Sequence, residues 1–268
     1  SVDVNVGEIW TQAFNFELAE STLKGVISKH PDFGPAYRAL AENYYRWASR
    51  EPAKKEELLP KAKDFYSQYL DRTDRSADSR YRYLIFLYNA EDYATLEKEA
   101  SAFIKEFGNK EEYALAQRFL GYAAVANKNT QTGIDAINKF VSSVKPERVI
   151  ASDYVFLGNA YRDLNQDSIA LQNYVKGYEL DTSNTEVLGN IAKAYFATKQ
   201  YGKAAKYYEI LASQPRSTSI DWFYFGYSNY WHYAMELAPK EPADSVAIKE
   251  TLIKADSAFR FLGEKTNN

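Results

Sequence analysis

Apolar residues recur along this chain at helical spacing, and the spacing itself repeats. In the stretch beginning at Ala151 they fall at Tyr154, Leu157, Gly158 and Tyr161, intervals of three and four that set them on one face of an α-helix. After a polar break, Ala170 and Tyr174 open a second such face. Thirty-four residues on, Leu188, Ile191, Ala192, Tyr195, Ala204 and Tyr208 repeat the order large, large, small, aromatic, small, aromatic. Another thirty-four residues bring Trp222, Phe225 and Gly226. The polar breaks Asn127-Lys128-Asn129, Asn165-Gln166-Asp167 and Thr198-Lys199-Gln200 predict turns between paired helices. Pro31, Pro146 and Pro215 fall near the ends of pairs, where a proline stops a helix.

The remaining chain fits with some slack. Gly7, Trp10, Ala19, Leu23 and Pro31 mark a first pair, and Tyr37, Leu40, Ala41, Tyr44, Ala62 and Tyr66 a second with extra residues between its helices. Gln117, Leu120, Gly121, Ala124, Gly133 and Ile137 mark a fourth. The third, residues 77–110, matches worst, because Leu84 and Leu96 stand where small residues are expected; the register is shifted there or the pair is splayed. The seventh closes with Ala255, Phe259 and Leu262 after a long insertion. The pattern predicts an all-α chain of about seven antiparallel helix pairs, at 1–33, 34–76, 77–110, 114–147, 151–184, 185–218 and 219–268. One pair cannot bury its apolar face alone, so neighbours stack into a continuous core. Small residues such as Gly158 and Ala170 let two helices approach, and Tyr161 and Tyr174 fill the space to the next pair.

This succession resembles the tetratricopeptide repeat, whose period is about 34 residues, over nearly the whole chain. The resemblance implies a right-handed α-solenoid, a superhelix forming one domain over 1–268, that binds another molecule along its concave face. Two insertions, 49–59 and 238–246, carry proline and mixed charge. They read as longer helices joined by a polar turn, with a rim contact as the alternative. The last helix ends on Phe259, Phe261 and Leu262 with no polar capping helix after it, so the chain is expected to continue or to self-associate there. It opens on Ser1 and its single methionine is Met235, so something N-terminal is expected to have been removed.

Composition narrows the chemistry. With 33 Lys+Arg against 36 Asp+Glu, the net charge of -3 gives no basic field for nucleic acid. No apolar run approaches the ~18 residues that span a bilayer. Without cysteine there is no disulfide, thiol catalysis or zinc–thiolate site. His30 and His232 are far apart; the first suits a helix end and the second, among Tyr230, Trp231 and Tyr233, reads as packing. Gly189, Gly202 and Gly226 make no phosphate loop, and the acidic pairs Glu56–Glu57 and Glu111–Glu112 read as solvated faces. No metal, cofactor or catalytic residue is expected. The missing start, the absent cysteines and the 23 tyrosines tilt the reading towards the periplasm or cell envelope of a bacterium.

In the family resembled, the first helix of each pair lines the concave face. Carried over residue by residue, its exposed positions are Arg38, Glu42 and Tyr45 in the second pair, Tyr81, Ile85 and Tyr88 in the third, and Arg118, Tyr122 and Val125 in the fourth. The fifth gives Val155, Asn159 and Arg162, the sixth Glu186, Lys193 and Phe196, and the seventh Phe223, Tyr227 and Tyr230. Tyrosine, phenylalanine and arginine of this kind dominate interface hot spots, although the same rings also serve core packing. Chaperone-binding members grip a terminal carboxylate with Lys and Asn; Asn159 and Lys193 match parts of that clamp, but Val155 breaks it, so chaperone binding is not expected. The expected function is a non-catalytic scaffold for a protein or peptide partner. The alternatives are a glycan-binding module, for which Glu42, Asn159 and Glu186 supply few polar groups, and the regulatory part of a larger protein.

Overall fold

The computed structural model describes residues 2–266, without the side chains of residues 185, 186 and 266. The expected groove residue Glu186 therefore has its side chain outside the described set, as do the chain ends Ser1, Asn267 and Asn268. Among the described residues the chain is all helix: α1 (Val2–Gln12), α2 (Phe16–Lys29), α3 (Gly34–Arg50), α4 (Lys55–Asp71), α5 (Ala77–Asn89), α6 (Tyr93–Phe107), α7 (Leu115–Ala126), α8 (Thr130–Ser143), α9 (Ala151–Asp163), α10 (Asp167–Leu180), α11 (Thr185–Ala197), α12 (Tyr201–Ala212), α13 (Ser219–Trp231) and α14 (Ser245–Thr266). They form two compact units, Ser1–Asn129 and Thr130–Asn268.

In the first unit each helix packs on the next, and α1 also meets α3 as α5 meets α7. The core positions are those of the repeat: Ala19, Leu23, Leu40, Ala41, Tyr44, Ala62 and Tyr66 are all buried. Gly7 lies against Leu23 so closely that a Cβ would meet its side chain at 2.6 Å. In the pair α5–α6, Leu84 and Leu96 occupy the small positions and are buried, and the two backbones approach much less than those of α9 and α10. Two leucines between helices hold them apart. The splayed pair is the physical outcome of that sequence.

In the second unit α9 to α14 pack in succession and α8 packs on α9. Gly158 faces Tyr174, where a Cβ would sit 2.5 Å from the ring. That ring is buried and its hydroxyl donates to Asn159 Oδ1 at 2.8 Å. Small residue and aromatic thus work as one device: the missing Cβ is the seat of the ring. Ala192, Ala204, Tyr208, Phe225 and Ala258 continue this core towards α14.

The turns share one backbone solution. Phe14, Glu91, Lys128, Asn165 and Lys199 each stand two residues after the end of a first helix, with positive φ of 60°, 56°, 71°, 58° and 59°. In each, the next amide reaches back to a helical carbonyl, as in Asn129 N–H to Ala124 O at 2.7 Å and Gln166 N–H to Tyr161 O at 2.9 Å. This left-handed cap usually holds glycine. None of the five is glycine.

The pairs α3–α4 and α13–α14 lack this turn, and both carry the insertions. The first insertion lengthens both helices to 17 residues and joins them by a 3₁₀ turn at Pro52–Lys54, braced by Lys54 on Glu51 at 2.8 Å. After α13 the chain winds into a π-helical segment, His232–Leu237. His232, read as packing, is partly buried with its ring against Gly202, and it also holds Glu236 Oε2 at 2.7 Å through Nδ1, while Glu236 Oε1 accepts from Tyr201 N–H at 2.6 Å, capping α12. On α14, Val246, Leu252, Ile253 and Phe259 are exposed. No helix among the described residues is long and apolar enough to cross a membrane.

Candidate functional site

Helical spacing on two first helices builds a cavity in the first unit. Arg38, Glu42, Tyr45 and Arg46 share one face of α3, and Arg82, Ile85, Phe86 and Asn89 share one face of α5. Between them lies a cavity of about 300 Å³ with Tyr66 of α4 among its walls. Tyr45 ties the two helices together by donating its hydroxyl to Asn89 O at 2.7 Å. Behind it Phe86 packs on Tyr66 with ring centroids 4.6 Å apart.

The electrostatics of this cavity are lopsided. Arg38 is committed to Glu42 at 3.3 Å and to Glu8 at 3.6 Å. Burial pushes the Glu42 carboxyl above its ordinary range; Arg38, Arg46 and Arg82 pull it down, and Glu8 pushes it up. Burial likewise raises the Tyr66 phenol, and the charge of Glu42 adds to that. Arg46 and Arg82 are exposed and form no ion pair or hydrogen bond among the described residues. Their helical neighbours four residues back are already engaged, Glu42 by Arg38 and Asp78 by the Tyr113 hydroxyl at 2.6 Å. Two guanidinium groups thus face the cavity mouth with their donors open.

The other expected residues of this unit form an aromatic run. Tyr88 of α5 packs on Phe119 at 5.2 Å and on Tyr122 of α7 at 6.0 Å. Tyr81 sits among Tyr113, Phe103 and Phe119 at 5.1, 5.8 and 6.4 Å, and the bond to Asp78 pushes the Tyr113 phenol up to about 12. Arg118 is partly buried on α7. These residues come together, but with one another and with the core as much as with open space.

In the second unit Phe196 of α11 stacks on Tyr227 of α13 at 5.6 Å, and Tyr227 on Phe223 at 5.4 Å. Phe223 is 44% and Tyr230 46% exposed, so the strip has a free face. Lys193 is exposed on α11. Asn159 is occupied with Tyr174, and Arg162 leans on its neighbour Asp163 at 3.6 Å. Among the described residues no cluster of His, Asp and Glu suits a metal ion.

Arg46, Arg82, Phe86 and Asn89 line the cavity without having been singled out in the sequence, and Tyr66 was read there only as a repeat position. Arg46 and Arg82 each stand one residue beyond an expected position, Tyr45 and Tyr81. The missing signal was tertiary, because their availability depends on where Glu42 and Asp78 bond.

No protein-family model and no curated protein matches the sequence. Solved structures do match. The C-terminal part of a TPR repeat-containing protein from Cytophaga hutchinsonii superposes with a TM-score of 0.63 at 16% identity, over 95% of this chain and 95% of that one. PilF of Pseudomonas aeruginosa matches with 0.56 at 18% identity, over 82% and 93%. YrrB, described as a TPR protein with an unusual peptide-binding site, matches with 0.53 at 13% identity, over 75% and 97%. In fold the chain is an all-α solenoid of the tetratricopeptide type.

Proposed function

We propose that the chain is a non-catalytic interaction scaffold whose first unit takes a peptide segment of a partner protein into the cavity between α3 and α5. The observation that carries this reading is the cavity itself, about 300 Å³, walled by first-helix positions and holding Arg46 and Arg82 with open donors. Its ionisable groups are guanidinium groups and phenols around one ion-paired carboxylate, a set suited to holding charge in place. The likeness in fold to a protein described by its peptide-binding site adds support. Fold by itself does not assign function.

A second reading, glycan binding, is favoured by the half-exposed strip Phe196–Tyr227–Phe223, since sugar rings stack on such faces. One experiment separates the two. A displayed random-peptide library and an oligosaccharide array are exposed to the native chain and to Ile85→Glu, which places a charge at an exposed wall position. Peptides enriched by the native chain and lost with Ile85→Glu are the expected result. Peptide enrichment untouched by that substitution would move the contact out of the cavity. Oligosaccharide binding with no peptide enrichment would replace the scaffold reading by the glycan one.

A further inference from the structure

The cavity between α3 and α5 does not end at its own walls. A second cleft, about 220 Å³, shares Tyr45 and Asn89 with it and is closed on the far side by Ser49, Pro52 and Leu59 of the first insertion. A third, about 460 Å³, shares Lys55, Leu59, Ala90 and Glu91 with the second and is walled by Pro60, Phe86 and Leu87. The three form one track around the C-terminal end of α5, and the insertion supplies its outer wall.

Chemistry changes along this track. At the α3 end stand Arg46 and Arg82, and beside the middle Lys55 is also exposed without an ion pair or hydrogen bond among the described residues. Of the carboxylates nearby, Glu42 is held by Arg38 and Asp92 by Lys63 at 2.7 Å, while Glu91 stands exposed where the second and third clefts meet, away from Arg46 and Arg82. The far cleft is lined mainly by apolar side chains. A ligand that fits such a lining carries negative charge at one end and an apolar group a few residues away. An extended peptide advances about 3.3 Å per residue, so a short segment covers both.

We infer that this track binds an extended acidic segment of a partner protein, with an Asp or Glu side chain between Arg46 and Arg82 and an apolar side chain against Leu59, Phe86 and Leu87. The inference rests on the scaffold reading and gives it a ligand class. It also assigns the insertion a role as a wall of the groove. Arginine recognises carboxylates through paired donors, which favours Asp and Glu over their amides. The apolar cleft supplies contact area that charge alone does not.

The test uses three pools of C-terminally amidated random peptides that are identical except for one fixed motif: Glu-x-x-Leu, Gln-x-x-Leu or Lys-x-x-Leu. Retention of each pool is measured on the native chain, on Arg46→Ala/Arg82→Ala and on Arg46→Glu/Arg82→Glu. Both arginines are exposed, so the variants keep their fold, which circular dichroism checks. The native chain is expected to retain the Glu pool about tenfold over the Gln pool, a discrimination typical of one paired charge. The alanine variant should erase that preference, and the charge reversal should transfer it to the Lys pool. Equal retention of all three pools would overturn the acidic specificity while leaving a peptide scaffold standing. A Glu preference that survives both variants would place acid recognition elsewhere and overturn the inference. Retention of no pool, together with no peptide enriched from the displayed library, would remove the scaffold reading as well.

Discussion

The two units differ in the chemistry that their first helices offer. In the unit of α1–α7 those helices hold guanidinium groups around a carboxylate whose charge burial disfavours, beside a run of rings that includes Tyr81, Tyr88 and Tyr122. In the unit of α8–α14 they hold rings in stacking contact, with Phe223 and Tyr230 nearly half exposed. The core positions behind both faces barely differ: Ala41 and Ala192 are both fully buried, and Tyr66 and Tyr208 are both 2% exposed. The helix-pair architecture constrains only what lies between helices. What a groove recognises can be set unit by unit.

The strongest way to break this comparison is to remove the support from one face. Leu40 is fully buried in α3, the helix that carries one wall of the cavity; Leu40→Ala should cost about 2–5 kcal/mol and abolish retention of acidic peptides. Denaturant titration and the pool assay read the two effects. Next, Gly158→Ala should cost about 1–3 kcal/mol by pushing Tyr174 from its seat, while retention of the Glu pool stays within twofold of native. A Phe223→Ala/Tyr227→Ala variant should also leave the Glu pool unchanged and, wherever an oligosaccharide binds, remove it.

A finer division comes from pH. Because burial raises the Glu42 carboxyl above its unfolded value, the native state holds that proton more tightly than the unfolded chain does. Ionised Glu42 therefore costs stability near neutrality, and the cost is relieved as pH falls towards its raised value. A peptide glutamate of ordinary pKa, about 4.3, remains charged through the upper part of that window. Facing Glu42 are Arg38 and Arg46 of its own helix, Glu8 of α1, Tyr66 of α4 and Arg82 of α5. Retention of the Glu pool should rise as pH falls from neutrality towards the raised value of Glu42, and Glu42→Gln should already show the higher retention at neutrality. A flat profile for the native chain would mean that Glu42 does not oppose the ligand. The smallest expected effect is in the turns: Lys199→Gly should gain up to about 1 kcal/mol, and Asn165→Gly only a few tenths, since asparagine tolerates the left-handed region.

Much of the fold was legible because helix pairs declare themselves through spacing. Leu157, Leu188, Ile191 and Ala204 are all buried where their intervals put them, and the breaks at 127–129 and 198–200 are turns. The poor match at Leu84 and Leu96 was legible too, since both leucines are core residues of a looser pair. The site was legible only in outline. Arg38 and Tyr45 lie at the cavity, but Arg46 and Arg82 acquire their character from bonds made by Glu42 and Asp78 to other partners. Asn159 shows the reverse, a polar position drawn off by Tyr174. The clasp of His232 on Glu236 was hidden for a related reason, because it depends on a π-helical winding that no spacing announces.

The five left-handed turns carry phenylalanine, glutamate, lysine, asparagine and lysine at the same backbone station. The hydrogen bonds that close these turns run between main-chain atoms, so the station is held without a particular side chain. Such hinges are open to neutral drift: their identities can turn over for as long as the small cost of each is covered by the helices behind it. The two pairs that gave up this closure are the two that grew longer. A lineage of such chains would be expected to diversify first at those two junctions, where added residues such as Ser49, Pro52 and Leu59 can be recruited as new surface.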